Sequence, residues 1–255
     1  MSPEIQTGDA AAAKTRSRAG TLGVIGEIFI TAGVLVLLYL VWQLWFNDLV
    51  VGNQQQGSAQ DLSQNWGKGD SPQPAPSNRA DPGDPIVTAT PAKTATFANI
   101  IVPRFGETYT RPVGEGISTS NVLRVGVGHY PGTQMPGAIG NVGLAGHRTT
   151  WGAPFFNIAD LRVGDSVYLE TADGWYRYVF RSLEYVKPSG IGVLDPVPQA
   201  QGVAATDRLL TMTSCNPKFS AAERIVAYSV YDTWYPRADG PPAEIAQTIH
   251  AVEGN

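Results

Sequence analysis

Arg208-Leu-Leu-Thr-Met-Thr-Ser-Cys215 is a short apolar and hydroxyl-bearing run that ends on the only cysteine among 255 residues. Such runs, bounded by Gly, Asn, Asp and Pro, read as strands. Nine residues on, Arg224 precedes a second run, 225–231. A third, Asn141-Val-Gly-Leu-Ala-Gly-His147, ends on a histidine and is followed by Arg148. Two strands therefore deliver a thiol and an imidazole at their ends, and another starts beside a guanidinium. A lone thiol excludes an internal disulfide.

Outward from these runs the pattern repeats. Strands are expected at 99–102, 122–127, 142–146, 166–171, 175–186, 209–214 and 225–231, with a hairpin turn at Asp173-Gly174. Residues 154–161, with Pro154 at their start, read as a short helix. Many short strands separated by turn residues favour a sandwich or barrel. The expected fold is mainly all-β, a closed or nearly closed barrel over residues 96–236.

Toward the start, residues 22–46 read LGVIGEIFITAGVLVLLYLVWQLWF, with Glu27 as the only charge. That length suffices to cross roughly 30 Å of hydrocarbon as a helix. The run continues into bulky Trp45-Phe46 instead of a small-residue cleavage site, so residues 21–46 are read as an uncleaved transmembrane helix. Lys14, Arg16 and Arg18 precede it and no Lys or Arg follows before Lys68, which makes residues 1–20 cytoplasmic and the rest extracellular. Tyr39, Trp42, Trp45 and Phe46 form an interfacial belt at its outer end, and Glu27 lies close enough to the inner end to reach headgroups.

Residues 47–95 are rich in Gln, Ser, Asp, Gly and Pro, and such a composition reads as a flexible extracellular linker, a tether holding the barrel above the bilayer. Residues 237–255 read as a peripheral tail. The net charge of −4, with no basic stripe interleaved with aromatics, argues against a nucleic-acid partner.

The chemistry follows from the strand ends. A thiolate is the attacking species, and an ordinary thiol near pKa 8.5 is only slightly ionised at neutral pH. His147 is the candidate to ionise Cys215 and later protonate a leaving amine. Arg224 is the candidate donor to an oxyanion, since its guanidinium stays charged at any relevant pH. Each residue taken singly has a plainer reading. Free cysteine is often a small core residue, a histidine after a strand is ordinary, and Arg148 and Arg224 have Asp160 and Glu223 as available salt-bridge partners. His129 is the rival histidine, but it follows a different strand.

Taken together, Gly143-Leu-Ala-Gly-His-Arg-Thr-Thr-Trp-Gly-Ala-Pro-Phe155, the Thr211-Met212-Thr213-Ser214-Cys215 stretch, and Arg224 resemble a sortase. The histidine region is similar to that of the class E housekeeping sortases of high-GC Gram-positive bacteria. The family pattern Thr-Leu-x-Thr-Cys is met with Met212 for Leu and Ser214 for the second Thr, changes that keep an apolar plug and a hydroxyl. The resemblance covers about residues 94–235.

It implies an eight-stranded sortase-like closed β-barrel with short helices, and Cys215, His147 and Arg224 as catalytic residues. It also implies cleavage of a Leu-Ala-X-Thr-Gly sorting signal between Thr and Gly through a thioacyl enzyme, resolved by the amine of a peptidoglycan precursor. The partners would be secreted proteins bearing that signal, the wall precursor and, through residues 21–46, the lipid bilayer. No metal or organic cofactor is implied. In class E a tyrosine lines the pocket for the Ala of the signal, and Tyr130, in His129-Tyr130-Pro131, is the matching specificity candidate. Thr213 and Ser214 offer hydroxyls to substrate backbone or to the strand end, and Asn141 reads as a structural turn residue.

The alternatives are a class D-like or pilus-polymerising sortase, disfavoured because residues 105–120 hold no Asp-Pro-aromatic plug; a hydrolytic cysteine peptidase; and a wall-binding β-domain with an inert Cys215.

Overall fold

The computed structural model describes residues 20–42, 47–68, 75 and 81–250. Eight strands close into one barrel in the order β1-β2-β3-β4-β7-β8-β6-β5. They are β1 (Thr96–Ile101), β2 (Thr110–Glu115), β3 (Val127–His129), β4 (Gly140–Ala145), β5 (Ser166–Thr171), β6 (Gly174–Val186), β7 (Arg208–Asn216) and β8 (Glu223–Pro236). The β2–β3 and β4–β7 pairs are parallel and the others antiparallel.

Alternation along the strands fills the interior. Val142 and Leu144 of β4, Leu210 and Met212 of β7, and Ile225 and Ala227 of β8 belong to one buried cluster with Tyr176, Tyr178 and Trp234. The intervening residues of β4 and β7 point to the outer face, where loops cover them. That outer face becomes the site.

Three elements differ from expectation. β2 was not anticipated, because Pro112 removes a ladder donor and demotes a run to edge or non-strand. Here β2 pairs with β1 and also in parallel with β3. In its place 122–127 was expected as a strand, whereas residues 119–125 are turns and only Val127–His129 is strand. The expected helix at 154–161 is a 3-10 turn at Ile158–Asp160, preceded by further turns.

The apolar helix α1 (Thr21–Val41) has no buried residue and is long and apolar enough to cross a membrane. Its Tyr39 and Trp42 rings stack at 6.2 Å. The rest of the expected belt, Trp45 and Phe46, and most of the expected cytoplasmic segment lie outside the described residues.

In the tether expected at 47–95, the described residues are packed on the barrel. Residues Asn47–Trp66 form helix α2, which lies on the barrel through Gly52, Gln55, Ala59 and Ser63. These small or polar residues recur at helical spacing, so α2 docks by close approach and hydrogen bonding and carries no apolar stripe. Ser63 Oγ donates to Glu170 Oε1 at 2.6 Å, and Asn99 Nδ2 donates to Ala59 O at 2.8 Å. Further along, Trp234 Nε1 donates to Gly83 O and Tyr176 Oη to Ile86 O. The arm at 81–95 is therefore pinned to the barrel wall.

The tail, expected to be peripheral, is also packed. Arg237 is buried and pairs with fully buried Glu170 at 3.0 Å. Ile245, just before the short helix α3 (Ala246–His250), and Ile249 within it join Ile101, Tyr168 and Trp175 in a second apolar cluster.

Candidate active site

β7 and β8 pair so that Cys215 and Arg224 are direct cross-strand partners, which puts both side chains on one face. On the other side of β7, the parallel ladder with β4 runs to the pair Ala145 and Thr213. Gly146 N extends it with a bond to Thr213 O at 3.1 Å. Two residues past Ala145 and Thr213 stand His147 and Cys215. The three residues picked out by sequence thus emerge at one end of three adjacent strands.

Local packing explains the glycine before the histidine. A Cβ at Gly146 would lie 2.6 Å from the Phe155 ring, closer than real contacts allow. Phe155 in turn donates its N–H to His147 O at 3.0 Å, and Tyr109 Oη donates to Pro154 O at 2.5 Å. The loop after His147 is folded back and tied to the barrel. Burial pushes the His147 imidazole below its ordinary value, and the Asp48 carboxylate of α2 acts against that shift.

Cys215 is half-buried. Behind it lies Arg148, which sequence reasoning left as solvated or salt-bridged. It is buried instead, with Nε donating to Phe156 O at 3.0 Å and Nη1 facing Cys215 O and Asn216 Oδ1 at 3.4 and 3.5 Å. It secures the backbone that carries the thiol. Arg224 is half-buried, with Nη1 bonded to the carbonyls of Ala221 and Glu223 at 3.1 and 2.9 Å.

The outer face of β4 and β7 forms a floor leading to these groups. Gly143 sits where three elements cross: a Cβ there would meet Leu194, Thr133 and Tyr130 at 3.0 to 3.2 Å. Tyr130 reaches the floor, its hydroxyl 2.9 Å from Thr213 Oγ1. Thr213 has one proton, directed at Leu144 O at 3.3 Å, which makes Tyr130 the donor of the pair. Tyr130 and Thr213 thus meet on the face of β7 that also carries Cys215.

Of the two roles open to Ser214, substrate backbone or strand end, its placement matches the second. Alternation turns it to the face opposite Cys215, where it is buried and its hydroxyl donates to Gly146 O at 2.8 Å. It ties the cysteine strand to the histidine strand and does not line the floor. Asn141 is a clamp within β4: its Nδ2 donates to Val193 O and Asp195 O, and its Oδ1 accepts from Thr211. It holds the turn at Ile191–Leu194 over the floor.

His129 is fully buried, with Nδ1 2.6 Å from Glu115 Oε2 and Nε2 near Thr133 Oγ1 and Gln134 O. It anchors the loop that carries Tyr130. Among the described residues no cluster of His, Cys, Asp and Glu is arranged to hold a metal ion.

Comparisons with known proteins agree with this architecture. A model of the sortase domain matches residues 100–231, just over half of the chain. Sortase SrtE1 of Streptomyces coelicolor is 37% identical over 225 residues, which cover 86% of this chain and 59% of that protein. The chain thus spans less than two thirds of that relative. Among solved structures, the SrtA sortase from Actinomyces oris is 33% identical with a TM-score of 0.61, covering 64% of this chain and 94% of that one. Sortase E1 from Streptomyces coelicolor, with a tripeptide in its active site, is 38% identical with a TM-score of 0.56, covering 60% and 97%. The chain belongs to the sortase family, on the side of its class E members.

Proposed function

We propose that the protein is a membrane-anchored cysteine transpeptidase in which Cys215, His147 and Arg224 act on a Leu-Ala-X-Thr-Gly sorting signal. The observation that carries this reading is the register of β7 with β8, with Cys215 opposite Arg224, and of β7 with β4, leading to His147.

In the first half of the cycle the Cys215 thiolate attacks the Thr carbonyl carbon, and the developing oxyanion is met by the Arg224 guanidinium. His147, as imidazolium, gives its proton to the nitrogen of the departing Gly, the C–N bond breaks, and a thioester to Thr remains. In the second half the amine of a wall precursor attacks the thioester, neutral His147 takes its proton, and the thiolate leaves. Water in place of the amine would give hydrolysis by the same steps.

The floor supports a choice of signal. Tyr130 is held beside the cysteine strand through Thr213, and its neighbour His129 is anchored on Glu115. The likeness to class E sortases, in which a tyrosine lines the pocket for Ala, is the basis for preferring the Leu-Ala over the Leu-Pro signal. The bilayer is the anchor for α1, with the barrel on the outer side.

The test is a competition assay. The full chain in detergent micelles receives equal Leu-Ala-X-Thr-Gly and Leu-Pro-X-Thr-Gly peptides and an amine acceptor, and the ligated products are separated. The reading expects the Ala product to dominate and both products to vanish in Cys215→Ala. Equal products, or a Pro product in excess, would leave the transpeptidase and remove the assigned role of Tyr130. Product formed without Cys215 would overturn the mechanism.

A further inference from the structure

The helix before the barrel reaches the site. Asp48 lies in the first turn of α2, and its Oδ1 accepts a hydrogen bond from Gly152 N at 3.3 Å, in the loop that follows His147. One turn on, Gly52 packs on the same loop so closely that a Cβ at Gly152 would stand 2.9 Å from Gly52 Cα. Gln55 then donates from Nε2 to Trp151 O at 2.7 Å. Trp151, Gly152 and Ala153 have φ of 54°, 74° and 42°, a left-handed course that two of these three residues disfavour. Such a loop needs bracing from outside, and α2 supplies it.

The electrostatics run along the same contact. His147 Nε2 is buried without a hydrogen-bond partner. Asp48 from α2 is the charge that acts on the imidazole; the adjacent Arg148 faces Tyr185, Asp160 and Cys215, and Arg224 of β8 stands opposite Cys215 of β7. Burial opposes a charged imidazole, and the Asp48 carboxylate favours it. Burial likewise pushes Asp48 up, while the backbone N–H groups of Gly152 and Trp151 and the charge of His147 pull it down.

We propose that Asp48 is a positioning residue for His147, its carboxylate fixed on the 151–152 backbone so as to favour the imidazolium form that protonates the leaving amine. The proposal rests on the reading of His147 as the acid–base of the cycle. It makes the segment directly after the apolar helix α1 part of the catalytic machinery, although the segment has the composition of a tether.

The test titrates the histidine rings of the full chain in micelles by NMR, with the His147 signal assigned through His147→Gln. Asp48→Asn is expected to move the His147 midpoint down by about half a pH unit or more, since a nearby opposite charge is removed. It should lower kcat several-fold with KM for the peptide little changed, and Asp48→Glu should restore both. Gln55→Ala loosens the same loop without removing charge, and its midpoint should stay at the wild-type value.

An unchanged midpoint in Asp48→Asn, or an equal shift in Gln55→Ala, would overturn the proposal. Should Asp48→Asn fail to fold, Asp48→Ser is read in the same way. If the wild-type chain transfers no acyl group at all, the function assigned to His147 falls, while the midpoint comparison still decides whether Asp48 acts on the imidazole.

Discussion

Cys215 and Arg224 are held on one rung of the β7–β8 ladder, which fixes the offset of their backbones, while the carbonyls of Ala221 and Glu223 hold the guanidinium itself. A lysine at 224 would keep the charge but lose the planar fork of donors. Arg224→Lys is therefore expected to lower kcat by about 10²- to 10³-fold, with the fold unchanged by circular dichroism. Steady-state kinetics with a peptide and an amine checks this, and a loss confined to KM would assign Arg224 to binding alone. At Gly146 the constraint is steric. Gly146→Ala drives a methyl to within 2.6 Å of Phe155, which should cost about 1–3 kcal/mol and displace His147, read as a lower urea midpoint together with lost activity. The Cys, His and Arg were legible in sequence because each ends or opens a strand-like run. Arg148 and Ser214 were visible as residues but not as contacts. Their partners are carbonyls of other segments, Phe156 and Cys215 for one and Gly146 for the other, and backbone acceptors leave no trace in residue type. Asp48 lies 99 residues before His147, and no spacing rule connects them.

At the scale of elements, six of the seven expected strands overlap observed ones and start within a few residues of them, because β1, β4, β5, β6, β7 and β8 are runs bounded by turn residues. β2 was hidden by Pro112 and Gly114, and 122–127 misled because Val122 and Val125 belong to turns that approach β2 and only Val127 opens β3. At Gly126 a Cβ would lie 2.3 Å from Pro112 O, so this segment is written by close approach and not by strand propensity. α2 was missed for a related reason: its buried positions are Gly52, Gln55, Ala59 and Ser63, and a rule that searches for apolar periodicity passes over them. What ties this helix and the tail to the barrel is a buried polar group. Glu170 accepts from Ser63 and Asn99 and pairs with Arg237, which also lies over the Trp66 and Trp175 rings. Removing one side of a buried pair leaves the other charge uncompensated. Glu170→Ala should cost about 3–5 kcal/mol in chemical denaturation and free both α2 and the tail, seen as faster amide exchange at 47–66 and 237–250. Exchange unchanged in those segments would mean that their docking does not depend on Glu170.

Across the whole molecule, one apolar helix precedes a closed barrel whose outer face, between two parallel strands, is covered by the Tyr130 loop and the Ile191–Leu194 turn. Barrel closure fixes the three strands, their register sets the three side chains, and the pinned arm, α2 and the tail brace the barrel from outside. The central claim is that this convergence makes Cys215 a nucleophile that carries an acyl group. The most direct measurement is intact-protein mass spectrometry of the full chain mixed with a Leu-Ala-X-Thr-Gly peptide in the absence of an amine, quenched in acid and digested. The account predicts an adduct equal in mass to the peptide up to its Thr, lodged on the fragment that holds Cys215, discharged on addition of amine, and missing in Cys215→Ala. A folded protein that cleaves or ligates the peptide with no adduct on Cys215, or with the adduct on another residue, would contradict it.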